Sequence, residues 1–268
     1  MPIIHHHAAI KLLVAVRGHP FDRSAFDAMF QAMPGISATM VDQPAAARLM
    51  NPQGMRDFDA LLLYDMPGLD FQSVGDRPHL LEPSQELKDG LQAVFEQGTG
   101  VVALHHALAG WPRWSTYGEW LGGRFLYRPA DVRGMRCLDS GYLSNVTYNA
   151  HVLAAHPVTA GLPANFQLTD ELYMAEIFSN DVTPLLEAQY DFSADRFCSA
   201  QAACRGQPET RSDWYHPPTS NLIGWTKWAI NSPLVYLQPG DGSCAYTSVY
   251  YRQLVENAIR WVVAAQGS

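Results

Sequence analysis

The chain is short of the residues and spacings that usually announce a reaction. Its four cysteines, Cys137, Cys198, Cys204 and Cys244, are scattered, and no two form a Cys-x-x-Cys pair. This excludes a zinc ribbon and a thioredoxin-type motif, and leaves reduced thiols as the expectation. There is no Gly-x-Ser-x-Gly elbow for a serine hydrolase. Neither a Walker loop nor Gly-x-Gly-x-x-Gly follows the first apolar run, so no nucleotide cofactor is expected. Positive charge is scarce: 18 Lys and Arg face 26 Asp and Glu, a formal net charge of -8. An acidic surface repels phosphate backbones and anionic lipid, which argues against nucleic acid and membrane partners. No apolar run approaches the ~18 residues of a spanning helix. The first residues, MPIIHHHAAIKLL, lack the basic and long apolar regions of a signal peptide. A cytoplasmic protein is expected. The three histidines at 5–7 read as a loose terminus and stay outside the candidate site.

What is present points to a sizeable core. Apolar residues make up 47% of the 268 positions, and aromatics 11%, with 7 Trp. One domain over residues 8–265 is expected. Residues 11–16 (KLLVAV) form a compact apolar run, a buried strand. Asp22 can cap a helix whose Phe26, Met29, Phe30 and Met33 fall on one face. Further strands are expected at 36–41, at 59–64 (DALLLY) and at 101–104. Ser84 caps a second helix, with Leu87, Leu91, Val94 and Phe95 as its buried stripe and Gly98 as its stop. Strands alternating with helices imply an α/β fold, a parallel sheet with helices on both faces. The alternation weakens after Trp111. Runs at 172–178, 184–190, 222–228 and 234–237 read as strands with no helices between them, added antiparallel at the sheet edge. Residues 191–220 read as a long polar insertion, a lid or a partner contact. The packing face Tyr251, Leu254, Val255, Ala258, Ile259 and Val262 closes the chain as a helix.

In an open α/β sheet, ligands gather at the carboxyl ends of the strands. His19 follows the first strand, Asp65 the third, and His105 and His106 the fourth. Three loops then deliver polar groups to one crevice. A histidine at a helix N-terminus is held neutral by the dipole, and can serve as general base or metal ligand. Adjacent residues on a tight turn diverge, so one of the pair is expected to face the crevice, with His105 favoured. Asp170, Glu171 and Tyr173 place two carboxylates and a phenol beside an apolar segment, as base, acid or ligand. His156, before Pro157, is a further ligand candidate. Asp241 lies in a Gln-Pro-Gly-Asp-Gly turn, and Tyr117 and Trp120 offer walls for a sugar-like ligand. A glutamine amidotransferase of this architecture needs a cysteine at the elbow after the 101–104 strand, where this chain has His105.

Five segments occur in order: VVALHHA (101–107), YGEWLGGRF (117–125), HPVTAGLP (156–163), DELY (170–173) and LVENAIRW (254–261). Together they resemble the trehalose-utilisation, or ThuA-like, family. The resemblance implies a flavodoxin-like, class I glutamine amidotransferase-like fold without the amidotransferase cysteine, and a link to disaccharide or keto-sugar catabolism. The matching positions are His105, Asp170, Glu171 and Tyr173. Two departures stand out. The family often carries a histidine after Gly-Gly-x-Phe, where this chain reads Leu126-Tyr127-Arg128-Pro129. It often has Gly-His near the last strand, where this chain has Gly240-Asp241.

The expectation is therefore a carbohydrate-catabolism enzyme, a hydrolase, lyase or isomerase of a disaccharide, glycoside or keto-sugar. His105, Glu171, Asp170 and Tyr173 are its catalytic candidates. His19, Asp65, His106, Tyr117, Trp120 and Asp241 are expected to bind substrate. A divalent metal such as zinc is expected on His105, His156 and Glu171. Amidotransferase activity is not expected. The alternative is a non-catalytic sugar-binding or regulatory module of the same fold. A homo-oligomer is expected in either case.

Overall fold

In β1 (Ile10–Val16), Leu12, Val14 and Val16 point to one side, Leu13 and Ala15 to the other, and all five are fully buried. Such a strand needs cover on both faces. The computed structural model describes residues 7–72 and 77–267, so His5 and His6 lie outside the described residues. On one face, α1 (Arg23–Gln31) packs Phe26, Met29 and Phe30, and the closing helix α5 (Val249–Ala264) packs Tyr251, Leu254 and Val255. On the other face lie Leu87, Leu91 and Phe95 of α2 (Gln85–Glu96) and Trp120 and Leu121 of α3 (Ser115–Leu121). The two long N-terminal helices start where the sequence places them. Asp22 accepts from the Ala25 amide at 2.9 Å, and Ser84 from the Leu87 amide at 3.2 Å.

Ten strands form one sheet. After β1 come β2 (Ile36–Asp42), β3 (Ala60–Leu63), β4 (Gly100–Leu104), β5 (Gly141–Val152), β6 (Asn165–Met174), β7 (Thr183–Gln189), β8 (Cys198–Ser199), β9 (Leu222–Ala229) and β10 (Ser232–Leu237). The spatial order is β6-β5-β7-β9-β10-β4-β3-β1-β2, with β8 paired to β5. Strands β2, β1, β3, β4 and β10 are mutually parallel. Their order is that of flavodoxin-like sheets, which reverse direction of build between β1 and β3. From β10 outward every pairing is antiparallel, as expected for the later half.

Three differences from the sequence reading matter. First, β5 is a 12-residue strand where none was expected. Second, the strand placed at 172–178 starts at Asn165 and ends at Met174, so Asp170, Glu171 and Tyr173 sit inside a strand. Third, the stretch 191–220 is not a bare loop. It carries β8 and a short helix, α4 (Ala200–Cys204), and buries Phe192, Phe197 and Cys198. Asp139 anchors it, accepting from the Ser199 hydroxyl (2.6 Å), the Gln201 amide (3.0 Å) and the Trp214 indole (3.0 Å).

Close approach of α5 to the sheet depends on Gly100. A Cβ there would meet the Val262 carbonyl oxygen at 2.5 Å and its carbon at 2.8 Å, both backbone atoms of a packed helix. Neither can swing aside. Gly100→Ala is therefore expected to cost about 1–3 kcal/mol, as overpacked cores do. Urea unfolding would read this as a lower midpoint at unchanged slope, and an unchanged midpoint would refute the packing argument.

Candidate active site

The parallel strands deliver their following residues to one rim. His19 comes after β1, Met66 after β3, and the elbow His105–His106 after β4. Asp241 follows β10. These and the edge strands enclose a cleft of about 330 Å³, lined by His19, Met66, Glu171, Tyr173 and Asp241, with Phe125, Tyr127, Tyr142 and Ser144 on its walls. Ala200, Ala203 and Cys204 of the 191–220 stretch close one side. No lysine or arginine lines it among the described residues.

Alternation along β6 sorts the DELY segment. Glu171 and Tyr173 share one face and reach the cleft, while Asp170, Leu172 and Met174 point the other way. Asp170 is buried and clamps the β10 loop, accepting from the Gly240 amide at 2.5 Å and the Asp241 amide at 3.2 Å. It thus positions Asp241 and does not itself line the cleft. Gly240 is required there: its φ is +128°, and a Cβ would lie 2.2 Å from the Tyr251 hydroxyl.

The elbow turns sharply at His105, whose φ of +35° is left-handed and strained for a residue with a side chain. The Tyr236 hydroxyl donates to its carbonyl at 3.1 Å. Both His105 and His106 are buried and neither lines the cleft; they lie against its lining residues Glu171, Asp241 and Tyr173. His105 Nδ1 donates to the Gln238 carbonyl, and Nε2 faces Glu171 Oε2 at 3.2 Å and Asp241 Oδ1 at 3.8 Å. Both nitrogens face acceptors, which suits an imidazolium. Burial alone would lower its pKa, but Glu171, Asp241 and Asp170 together push it up to about 9. This differs from the expectation of a neutral His105: the carboxylates outweigh the burial. Burial likewise would raise Glu171, but the His105 contact and the Ser144 hydroxyl, donating at 2.8 Å, hold it below the ordinary carboxylate range. His106 is shifted oppositely. Burial, then the neighbouring His105 and His19, push it well down and keep it neutral. Its Nδ1 lies 3.3 Å from the Tyr173 hydroxyl, and its ring is 4.2 Å from that of His19. Burial raises Asp241, with His105 pulling the other way. Burial also keeps the Tyr173 phenol protonated.

Four expected site residues lie elsewhere. His156 caps the short turn Pro157–Thr159, accepting from the Val158 amide at 3.1 Å, and packs on Trp261. It lines a separate surface hollow, so the expected metal set His105, His156 and Glu171 is not assembled. The remaining two are bonded to each other, and this set does not fit an ion. Tyr117 and Trp120 are core: Trp120 stacks on Phe95 at 4.6 Å, and Tyr117 on Trp114 at 5.8 Å. Asp65 is buried beneath the rim, accepting from the Gln43 amide at 2.6 Å.

Gln238 was missed. Its carbonyl accepts from His105, while its side chain brackets the Tyr173 backbone, accepting from the amide at 2.9 Å and donating to the carbonyl at 3.4 Å. It ties the parallel half to the antiparallel half at the site. Only its place at a strand's carboxyl end could have signalled it.

A flavodoxin-like sheet with antiparallel additions, and a sharp elbow after β4 opening on the strand-end cleft, defines the class I glutamine amidotransferase-like α/β proteins, here with histidine at the elbow. Within that class the chain belongs to the ThuA family, described as trehalose utilisation, whose model matches residues 16–262. Solved structures agree on the fold. A ThuA-like protein of Parabacteroides merdae is 14% identical, with TM-score 0.65 over 96% of this chain and 91% of that one. A ThuA-like protein of Bacteroides uniformis is 17% identical, with TM-score 0.61 over 99% and 96%. PurLQS of Thermotoga maritima is 12% identical, with TM-score 0.52 over 94% and 98%. No curated protein matches the chain. Among the described residues no helix is long and apolar enough to cross a membrane.

Proposed function

We propose that this protein acts in carbohydrate catabolism on a neutral keto-sugar or keto-glycoside, by removing the proton next to the ring carbonyl. The observation that supports this most directly is the pairing of Glu171 and Tyr173 on one strand face, both open to a cleft that no lysine or arginine lines among the described residues. A carbonyl acidifies the neighbouring C–H, so a modest base suffices. Glu171 is that base, kept ionised by His105 behind it. The proton moves from carbon to Glu171, and the electron pair passes to the carbonyl oxygen to give an enediolate. Tyr173, a phenol held protonated, donates a hydrogen bond to that oxygen. Return of the proton to the former carbonyl carbon, with the neighbouring hydroxyl passing its own proton to the old carbonyl oxygen, moves the carbonyl by one position and isomerises the sugar. Expulsion of a substituent one carbon further eliminates it. His105, His106 and Gln238 touch no substrate in this scheme; they orient and charge the groups that do. No glutamine hydrolysis belongs to it, since the elbow carries no thiol.

Two carboxylates, with no lysine or arginine in the lining among the described residues, make the cleft hostile to phosphorylated sugars. Neutral 3-keto-glucosides are expected to bind at least tenfold more tightly than their 6-phosphates in calorimetry. Equal affinity would exclude the neutral-substrate reading. In D2O the neutral substrate is expected to take up deuterium beside the carbonyl, followed by proton NMR. Binding without any exchange would select the non-catalytic sugar-binding module.

A further inference from the structure

We propose that His19, His106 and Asp241 form a binding site for one divalent first-row transition-metal ion in the floor of the cleft. The three residues come from three different strand ends, and one donor atom from each lies within 4.8 Å of the others. Two imidazoles and one carboxylate are a ligand set such ions accept, with coordination positions left open.

The hydrogen bonding of each ring leaves a lone pair where the ion would sit. His19 Nδ1 is 3.0 Å from the Pro20 carbonyl, which only accepts, so Nδ1 carries the hydrogen and Nε2 the lone pair. Metal-binding histidines commonly fix their tautomer by such a bond. His106 Nε2 is buried and has no hydrogen-bond partner among the described residues, although polar atoms so placed are normally satisfied. Asp241 Oδ1 lies 3.6 Å from it. That exceeds a hydrogen bond, and is close to the ~3.3 Å between two ligands each ~2.0–2.1 Å from a shared ion. His19 is exposed and can close the remaining distance. A second group, His105, Glu171 and Asp241, is just as compact, but there His105 already has a partner on each nitrogen. The ion therefore belongs on the His106 side.

This assignment deepens the keto-sugar reading and rests on it for the substrate. With His106 Nε2 on the ion, Nδ1 carries the hydrogen and donates to Tyr173, leaving the phenol hydrogen for the substrate oxygen. The open positions face the same cleft.

The test uses the full chain with His5, His6 and His7 replaced by alanine, to remove a competing histidine run. After chelator treatment the protein is titrated with Co2+ and followed by visible absorption and by calorimetry. One equivalent is expected to bind. His19→Ala, which alters only an exposed side chain, and Asp241→Asn are each expected to weaken binding at least tenfold, and Glu171→Gln less than twofold. If Glu171→Gln weakens binding and His19→Ala does not, the ion sits at the other group and the assignment fails. Sub-stoichiometric binding indifferent to all three substitutions means an adventitious ion only, and also overturns it. Tight metal binding without deuterium exchange would keep the site and remove the keto-sugar reading. Exchange in metal-free protein that binds no Co2+ would do the reverse.

Discussion

Glu171→Gln will lower the rate of deuterium uptake by a 3-keto-glucoside about 10²–10⁴-fold, the range that a positioned general base supplies. The substitution keeps shape and most contacts. Gln Oε1 can still accept from Ser144, and its amide can donate to a neutral His105 Nε2, whose other nitrogen remains bonded to Gln238. The fold should survive, so lost exchange reports lost basicity. Tyr173→Phe should cost less, about 10²–10³-fold, because it removes a donor to the enediolate and leaves the base in place. Asp170→Ala separates positioning from proton transfer. It frees the Gly240 and Asp241 amides, so the β10 loop should loosen and substrate affinity should fall along with the rate. If exchange persists in Glu171→Gln and disappears in Asp241→Asn, the base is Asp241. If it persists in both, acid–base chemistry at this rim is wrong.

How much of this was legible depends on where the determining contacts lie along the chain. Strands β1 from Leu12 on, β3 and β4 are buried on both faces, so their sequences are apolar runs that need no context. Asp22 and Ser84 act within three residues of themselves and read equally well. Strand β5 was hidden because its pairing shifts between Leu143 and Val146, with Asn145 at a φ of +54°. The bulge changes the phase of the alternation halfway, so neither half looks like a strand of full length. The 191–220 stretch looked structureless because its anchor is Asp139, which meets Ser199 and Trp214 from far along the chain. The rim residues His19, His105 and Asp241 could be anticipated from strand ends alone. Charge states could not: His105 is held protonated chiefly by an ionised carboxylate 66 positions away. His156 looked like a ligand because His-Pro gives no sign that its imidazole caps the turn it begins.

Asp65 illustrates the same limit and carries a large expected effect of its own. Its place after β3 suggested substrate contact, yet its side chain is 1% exposed, with Oδ2 bonded to Gln43 and Oδ1 without a partner among the described residues. Burial pushes the carboxyl from 3.8 up to about 6, and the Gln43 amide offsets this only in part. The sign follows from linkage. Below pH 3.8 both folded and unfolded chains hold the proton, and Asp65 costs nothing. Between 3.8 and about 6 the unfolded chain releases a proton that the folded chain keeps, so stability falls as pH rises. Above about 6 both are ionised and the full cost remains, about 3 kcal/mol at about 1.4 kcal/mol per unit. Asp65→Asn removes the charge while its Oδ1 still accepts from Gln43. It should raise the unfolding free energy by about 1–3 kcal/mol at pH 8, and the gain should shrink to about a third by pH 4.5. Urea titrations of both proteins at the two pH values measure this, and a gain independent of pH would show that burial of charge is not its cause. Because the side chain lies under the cleft and not in it, deuterium exchange should stay within twofold. A Glu171-sized loss would instead return Asp65 to the site from which its burial removes it.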